Sequence, residues 1–221
     1  MNDLVYIVFE VLCFIPAIVL HEVGHGFMAY KLGDPTAKAA GRLSLNPLKH
    51  VDIFGTVLLP AIMILAGGPV FGYAKPVPYN PRYFKDKRKG DLLVGLAGPG
   101  VNLLLALLGS AIAWGVYAAT GGVIYRGSVM NYVVIFLLYF VLINLVLMFF
   151  NLMPIPPLDG SSIFAFLLPE KYLPAYYRVQ HYAMPVFLIL VFILPQVLHV
   201  DPIGWYLRAT AYGLLGVLFP F

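Results

Sequence analysis

The chain has 221 residues, of which 61% are hydrophobic and 11% are charged, and its formal net charge is +4. Because a soluble domain has roughly 25% charged residues, this composition excludes a soluble protein and indicates an integral membrane protein. The small positive charge is typical of basic loops beside a membrane, and it gives no reason to expect nucleic acid as a partner.

Six long apolar segments follow one another along the chain, and continuous runs of this length predict helices rather than alternating strands. Their approximate ranges are 4–30, 53–71, 92–119, 131–153, 175–198 and 204–219. We therefore predict an all-α polytopic integral membrane protein in which residues 1–221 form a single membrane-embedded domain. Its catalytic core covers about residues 4–160, and C-terminal helices cover about residues 175–220.

The first apolar segment is not expected to be a cleaved signal peptide. Its leading residues, Met1-Asn2-Asp3, are acidic where a signal peptide is basic, and no small-residue cleavage pattern follows. The chain has a single cysteine, Cys13, which excludes a disulfide within the chain.

The same segment ends in the sequence HEVGH, residues 21–25. On a helix, His21 and His25 are four residues apart and project from nearly the same face, where two imidazoles can bind one metal ion. Glu22 lies beside them and can accept a proton from water at the metal, which is the chemistry of an H-E-x-x-H motif. Because ionisable residues at membrane depth are rare and usually functional, this cluster predicts a metal site.

A catalytic zinc ion needs about three protein ligands and an open position for water. Glu10 lies about three turns before the histidines on the same helix, beyond reach of the metal. Asp159 is the better third ligand, because it follows a broken helix end, and non-helical backbone at membrane depth can line a polar cavity. Taken alone, however, Asp159 before Gly160 also fits an ordinary Asp-Gly turn.

Three motifs, HEVGH, then GPGVN at residues 98–102, then NLMPIPPLDG at residues 151–160, resemble the site-2 proteases in order and spacing. These are zinc metalloproteases that cut peptide bonds within or near the membrane. The stretches GRLSLNPLKHVDIFGT and KPVPYNP are similar to the compact prokaryotic branch of that family. The resemblance covers roughly residues 17–160.

The resemblance implies that the two histidines and Asp159 ligate one Zn²⁺ ion per chain and that Glu22 is the catalytic carboxylate. It also implies that Asn102 and Asn151 help to hold the substrate or the oxyanion. Each asparagine has an alternative role, because an amide can also form hydrogen bonds between membrane helices.

We therefore expect an intramembrane zinc metalloendopeptidase that acts in regulated intramembrane proteolysis. It would hydrolyse membrane-spanning proteins or peptides by a zinc-activated water with Glu22 as general base. The lipid bilayer is its other expected partner. A membrane metal transporter or an inactive membrane scaffold is the alternative, although a transporter usually spreads its ligands over several helices and does not need a glutamate beside them.

The predicted metal site constrains the segment at 53–71. The HEVGH motif and Asp159 lie at the C-terminal ends of the first and fourth segments. If 53–71 crossed the membrane fully, these two ends would lie on opposite faces, separated by a hydrocarbon core of about 30 Å. We therefore predict about five transmembrane helices plus one re-entrant segment, interrupted at Pro60 and at Gly67-Gly68-Pro69. The alternative is a bundle of six spans with a different metal site.

The distribution of basic residues agrees with a re-entrant segment. With a re-entrant segment, Arg126 is the only basic loop residue on one side of the membrane, and the other basic loop residues all lie on the opposite side. Those residues are Lys31, Lys38, Arg42, Lys49, Lys75, Arg82, Lys85, Lys87, Arg88, Lys89, Lys171 and Arg178. By the positive-inside rule, the active site of this multi-pass cell-membrane protein should lie near the cytoplasmic face.

The stretch GYAKPVPYNPRYF contains Pro76, Pro78 and Pro81, which favour an extended conformation. Such a segment could pair with a substrate that has unwound from helix to strand, or it could be a simple connector. His50, His181 and His199 are expected near membrane interfaces. Arg208, inside the last segment, is expected either to extend its side chain to water or to pair with a nearby acid or carbonyl.

Overall fold

The structure, a computed structural model, describes residues 3–58, 61, 73–180, 182–189, 191 and 197–221. All regular elements in this part of the chain are helical, which confirms the predicted all-α class. The α-helices are α1 (Asp3–Lys31), α2 (Thr36–Ala39), α3 (Lys87–Thr120), α4 (Val129–Asn151), α5 (Ser161–Leu167), α6 (Leu173–Gln180), α7 (Ala183–Leu188), α8 (Pro202–Leu207) and α9 (Gly213–Leu218). Single 3₁₀ turns cover Pro47–Lys49, Pro81–Tyr83 and Glu170–Tyr172, and π-helical turns cover Ile53–Leu58 and Arg208–Tyr212.

Helices α1, α3 and α4 are each long and apolar enough to cross a membrane. They contain 29, 34 and 23 residues, which at 1.5 Å per residue gives lengths of about 44, 51 and 35 Å. Each length exceeds a hydrocarbon core of about 30 Å. Large apolar side chains such as Leu104 and Leu108 point outward and are exposed, as expected for contact with lipid. The first, third and fourth predicted segments therefore correspond to helices that fit a bilayer.

The other three predicted segments are described only in part. Residues 59–60, 62–72, 181, 190 and 192–196 lie outside the described residues. The predicted interruptions at Pro60 and Gly67-Gly68-Pro69, and the interfacial position expected for His181, fall within these gaps. The number of membrane spans therefore stays a prediction.

Local signals explain where α3 and α4 begin and end. The Asp86 side chain accepts a hydrogen bond from the backbone N–H of Lys89 and caps α3 at its start. Gly121 ends α3 in the left-handed region at φ +61°, where glycine has no steric penalty. Ser128 then caps α4. The short connection between the two helices makes them antiparallel neighbours.

Small residues allow the long helices to pack closely. A Cβ atom on Gly24 of α1 would lie 2.8 Å from Cγ2 of Val101 in α3, so the two backbones approach each other at a glycine. Ala106 and Ala113 on α3 and Leu145 on α4 belong to one buried cluster. Close packing at small residues is what holds helices together in lipid, where the hydrophobic effect does not. These contacts fix α3 between α1 and α4.

Residues 73–80, which we call the extended segment, contain no helix, as their prolines predict. Polar groups from residues 31–56 hold the segment in place. The N–H of Lys75 donates to the carbonyl of His50 at 2.8 Å, and the buried Arg42 guanidinium donates to the carbonyl of Lys75. The N–H of Asn80 donates to the carboxylate of Asp34, a residue that is fully buried.

Asp34 is a fixed anion in this loop region, which lies outside the long helices. Burial would raise the pKa of its carboxyl group, but hydrogen bonds from the Thr36 side chain and from the backbone of Asn80 and Thr36 outweigh that effect and lower the pKa. An ionised Asp34 therefore anchors both the turn at the end of α1 and the end of the extended segment.

The start of the extended segment lies against the residues that precede the undescribed stretch. The N–H of Tyr73 donates to the carbonyl of Gly55 at 3.0 Å, and the hydroxyl of Thr56 donates to the carbonyl of Tyr73 at 2.9 Å. Residues 55–56 and residue 73 therefore lie side by side, although 16 or more residues separate them in sequence.

Three of these four polar residues are described. His50 is buried within the protein: its ring Nε2 is 2.8 Å from the carbonyl of Ser44, and its own carbonyl accepts a hydrogen bond from the extended segment. His199 is exposed and has a backbone φ of +53°. Arg208 is exposed, with Nη1 3.9 Å from the Asp201 carboxylate.

Candidate metal centre

Two separate elements bring the predicted ligands together. His21 and His25 lie on α1, and Asp159 lies in the loop between α4 and α5. The Nε2 atom of His21 is 3.0 Å from the Nε2 atom of His25 and 3.0 Å from Oδ2 of Asp159. The Nε2 atom of His25 is 3.3 Å from the same carboxylate oxygen. Both histidines are almost fully buried.

The second nitrogen of each histidine ring is bound to a neighbouring oxygen on α3. Nδ1 of His21 is 2.6 Å from Oδ1 of Asn102, and Nδ1 of His25 is 2.7 Å from the carbonyl of Val94. These oxygens can only accept a hydrogen bond, so each ring must donate from Nδ1. In the neutral rings, both Nε2 atoms then present lone pairs. Three acceptor atoms, including the Asp159 carboxylate, thus face one another without a donor between them.

This arrangement fits a zinc ion. Zinc binds histidine nitrogen at about 2.0–2.1 Å and carboxylate oxygen at about 2.0–2.2 Å with tetrahedral geometry, for which the ligand atoms lie about 3.3 Å apart. The observed separations are 3.0 to 3.3 Å. The three atoms therefore match three corners of a tetrahedron, with the fourth corner left for water or substrate. The oxygen partners of the Nδ1 atoms are the supporting contacts that histidine ligands usually have.

Gly98 brings α3 directly against this cluster. A Cβ atom on Gly98 would lie 2.6 Å from Nε2 of His21 and still closer to Nε2 of His25. Only a residue without a side chain fits between α3 and the two imidazoles. Glycine inside a helix costs about 1 kcal/mol relative to alanine, and here close approach of the helix to the histidines explains its use.

Glu22 lies between the candidate metal ligands and the extended segment. One of its carboxylate oxygens and one ring nitrogen of each histidine all lie within 4.8 Å of one another. Its Oε2 accepts a hydrogen bond of 3.0 Å from the backbone N–H of Val77. This carboxylate is close enough to exchange a proton with a water at the metal, and a backbone group fixes its orientation.

The two asparagines singled out in the sequence lie in different surroundings. Asn102 is fully buried behind His21, and its amide nitrogen donates to the carbonyl of Ala17 and to Oδ1 of Asn144. In this arrangement Asn102 orients the histidine ring and has no donor left for an oxyanion. Asn151 lines the cavity, where its amide donates one hydrogen bond, to the carbonyl of Leu147.

A cavity of about 670 Å³ opens in front of the cluster. The predicted metal ligands and Glu22 lie on one wall, and five residues of the extended segment form another: Tyr73, Ala74, Pro76, Val77 and Tyr79. This volume lies within the range of about 300–1,000 Å³ that is usual for ligand sites. It is large enough for a short stretch of peptide beside the metal.

Several residues of this site were missed in the sequence. Gly98 and the carbonyl of Val94 lie on one face of α3, and Asn144 supports Asn102 from α4. A glycine within a long apolar helix is the one signal that could have indicated Gly98, because such a position often marks a close approach. A backbone carbonyl leaves no mark in a sequence.

Comparison with known proteins agrees with this geometry. The sequence profile "Peptidase family M50" matches residues 119–194. "Putative zinc metalloprotease YwhC" of Bacillus subtilis is 39% identical over 196 residues, which cover 89% of this chain and 82% of that protein. "Putative zinc metalloprotease Rip2" of Mycolicibacterium smegmatis is 34% identical over 144 residues, 65% of this chain, which spans about half (51%) of that relative. No solved structure matches the chain.

The chain therefore belongs to peptidase family M50, and its predicted membership of the site-2 proteases is confirmed. The expected enzyme class, a metalloendopeptidase, and the expected cofactor, Zn²⁺, are confirmed at the level of the family.

We expect Gly98→Ala to lose most of the bound zinc, because the added methyl group would overlap both Nε2 atoms, whose rings are held from behind and cannot turn away. Zinc per chain in the purified protein, measured by elemental analysis, tests this expectation. Gly100→Ala is the matched control, because its Cβ would have no atom within 4 Å, and it should keep its zinc. Full zinc content in Gly98→Ala would contradict the proposed site.

We expect Asn102→Leu to weaken zinc binding by about 10- to 100-fold, because removal of a group that orients a histidine ligand usually has this effect. Competition with a chelator of known zinc affinity measures the change. Asn151→Leu removes an amide that donates a hydrogen bond to the carbonyl of Leu147 and not to a histidine, so it should leave zinc affinity unchanged. Equal losses in the two variants would argue against an orienting role for Asn102.

Proposed function

We propose that this protein is an intramembrane protease in which His21, His25 and Asp159 hold zinc and Glu22 is the general base. The observation that carries the proposal is the convergence of three acceptor atoms, 3.0 to 3.3 Å apart, beside the carboxylate of Glu22. Zinc bound there would activate water and polarise the carbonyl group of the peptide bond. Membership of family M50 supports this assignment.

Glu22 accepts a proton from the attacking water and delivers it to the nitrogen of the leaving amine. One oxygen of its carboxylate is held by the N–H of Val77, so the other oxygen is free to face the reacting atoms. The extended segment therefore orients the general base. The rings of His21 and His25 are held in orientation because their Nδ1 atoms are bound on α3.

The substrate, we propose, binds as a strand along the extended segment. In an extended chain, alternate residues direct their backbone groups to opposite sides, and the N–H groups of Tyr73, Lys75 and Val77 are all bound to the protein. Pro76 and Pro78 have no N–H, so the opposite edge offers carbonyl groups there. A substrate strand can donate its own N–H groups to this edge, and unwinding exposes a bond that a helix would shield.

Ala74 and Pro76 line the cavity, which supports this position for the substrate. Asn151 lines the same cavity and has an amide hydrogen beyond the one bound to Leu147. Of the two asparagines, Asn151 is therefore the one we propose to contact the substrate. Transmembrane proteins or peptides are the proposed substrates, because the active site lies on helices that fit a bilayer.

We propose a multi-pass topology in which the segment at 53–71 is re-entrant. The hydrogen bonds that join Gly55 and Thr56 to Tyr73 support this topology, because they bring the two ends of the segment together. The short distances between Asp159 and the histidines support it as well, since α1 and α4 must then end on one side, with α3 running back between them. The positive-inside rule makes this the cytoplasmic side of the cell membrane.

We expect Glu22→Gln to keep zinc and fold but to lose cleavage by about 10²- to 10⁴-fold, because the water loses its general base. Mass spectrometry of peptides released from membranes that contain the wild type or the variant measures the loss. The matched control is Glu10→Gln, which changes an exposed glutamate on the same helix and should cleave normally. Near-normal cleavage by Glu22→Gln would reject the mechanism. Zinc transport across the membrane by the variant, without cleavage by the wild type, would favour the alternative function, a metal transporter.

Single cysteines test the topology in a Cys13→Ala background. Lys38→Cys and Lys87→Cys should both react with an impermeant thiol reagent from the cytoplasmic side, and Arg126→Cys should react only from outside. The reason is that the chain must return to its starting face between residues 56 and 73 if all three ligands share one metal. Labelling of positions 38 and 87 from opposite faces would favour six spans and would remove Asp159 from the metal site.

A further inference from the structure

A further acid, Asp91, lines the same cavity as the metal centre. It lies in the second turn of α3, and the next turns of that helix carry Val94, whose carbonyl binds His25, and Gly98, which contacts both imidazoles. Residues 91, 94 and 98 are spaced by three and four, so they share one face of the helix. At 1.5 Å per residue, Asp91 lies about 10 Å along α3 from Gly98. That distance corresponds to about three residues of an extended peptide.

Asp91 has no cationic partner among the described residues. Every ion pair between described side chains within 4.0 Å involves other acids. The nearest guanidinium along the helix, that of Arg88, is bound to the carbonyls of Ala165, Phe166 and Leu168 and reaches Glu170. Within the described part of the chain, the Asp91 side chain accepts one hydrogen bond, from the hydroxyl of Tyr79. A half-buried carboxylate with a single neutral donor retains the capacity to bind a cation.

Three tyrosines line the cavity together with this carboxylate: Tyr79, Tyr176 and Tyr177. Tyr176 is fixed by its hydroxyl, which donates to the carbonyl of Ser161 at 3.0 Å, and its ring lies 5.6 Å from that of Tyr177. Aromatic faces attract lysine and arginine, and their apolar bodies suit the long methylene stems of those side chains. A carboxylate among tyrosines is therefore complementary to a basic side chain and not to an acidic one.

We propose that Asp91, Tyr79, Tyr176 and Tyr177 form a subsite for a lysine or arginine side chain of the substrate, about three residues from the cleaved bond. The inference rests on the proposed function. Helix α3 starts on the proposed cytoplasmic side, so Asp91 lies nearer the cytoplasm than the metal does. Membrane-spanning proteins carry an excess of Lys and Arg at that side, so the subsite would recognise the end of the substrate that faces the cytoplasm.

The competing explanation is structural. The hydrogen bond from Tyr79 to Asp91 joins α3 to the extended segment, and Asp91 could serve only to hold that segment. The two roles differ in one respect: an anchor affects all substrates equally, whereas a binding carboxylate discriminates by charge.

The test uses the full-length, zinc-loaded chain in detergent and a set of synthetic membrane-spanning peptides. Each peptide has a Leu/Ala-rich helix with an Asn-Gly pair near its cytoplasmic end, glutamine at neighbouring positions, and a single lysine or glutamate that is moved along them. Dissociation constants are measured on the Glu22→Gln background, so that binding is read without cleavage. Cleavage rates and cut positions are measured separately with Glu22 intact.

We expect the lysine peptide to bind about tenfold more tightly than its glutamine counterpart at one position, about three residues from the cut. Asp91→Asn should abolish this preference, and Asp91→Lys should reverse it in favour of glutamate. Tyr79→Phe, which keeps the carboxylate and removes its donor, should retain the preference. Glu170→Gln removes an exposed acid outside the cavity and should retain it too, which controls for overall charge.

Three results would overturn the subsite: no lysine position preferred by the chain with Asp91 intact, a preference that survives Asp91→Asn, or an equal loss in Tyr79→Phe. The first result needs no substitution at position 91, so it holds even if those variants fail to fold. Absence of cleavage by the chain with Glu22 intact would instead reject the proposed protease function. Cleavage without charge preference would reject only the subsite.

Discussion

The Nε2 atoms of His21 and His25 and a carboxylate oxygen of Asp159 face one another at 3.0 to 3.3 Å, and they repel unless a proton or a metal cation lies between them. The helices and the loop around His21, His25 and Asp159 hold these three side chains at such short distances. Two of the acceptors come from one helix and are placed by its period. The third comes from a loop 134 residues later than His25 in sequence (159 − 25), which must end on the same side of the bilayer. The proposed return of the chain at 53–71 is a consequence of that requirement.

Non-helical backbone beside a membrane needs hydrogen-bond partners from the protein, because lipid provides none. The extended segment meets this requirement in part through two carboxylates, those of Glu22 and Asp34, each of which accepts a hydrogen bond from one of its backbone N–H groups. The Asp91 carboxylate accepts a further hydrogen bond from the hydroxyl of Tyr79. Charged acceptors form stronger hydrogen bonds than neutral ones. The prolines at 76 and 78 reduce the number of N–H groups that must be satisfied. The N–H groups of residues 73, 75 and 77 are thus bound to the protein, and the opposite edge at Pro76 and Pro78 is the proposed edge for the substrate.

The extent to which the site could be read from sequence depends on the kind of contact. The placement of the two histidines of HEVGH can be predicted from sequence, because the helical period alone brings their imidazoles together. Asp159 could be predicted as a partner only because few other acids exist in the apolar parts of the chain. Gly98 and Val94 could not be assigned a role, since the register between α1 and α3 depends on packing. The sequence leaves two roles open for Asn102, a contact with the substrate or a hydrogen bond between helices, and the packing of the helices brings its amide oxygen to His21.

Some helix boundaries could also be predicted from the sequence pattern, and others depend on individual hydrogen bonds. The predicted segments 4–30 and 131–153 lie within one to two residues of α1 and α4, because apolar runs coincide with these helices. Helix α3 begins at Lys87, five residues before the predicted start at 92 (92 − 87), because the Asp86 cap extends the helix into a basic stretch. Hydropathy alone assigns such charged residues to a loop, and a local hydrogen bond decides otherwise. That extension is what includes position 91 in the helix.

Helix α3 therefore joins functions that would otherwise be separate. One face of it carries Asp91, the Val94 carbonyl, Gly98 and Asn102, at successive spacings of three or four residues. Along that face the helix contacts the extended segment, then one histidine, then both Nε2 atoms, then the other histidine. A rigid helix keeps these contacts in fixed register. A movement of α3 by one ångström would disturb the proposed metal ligands and the proposed substrate subsite together. Both proposed sites therefore depend on the same packing interface.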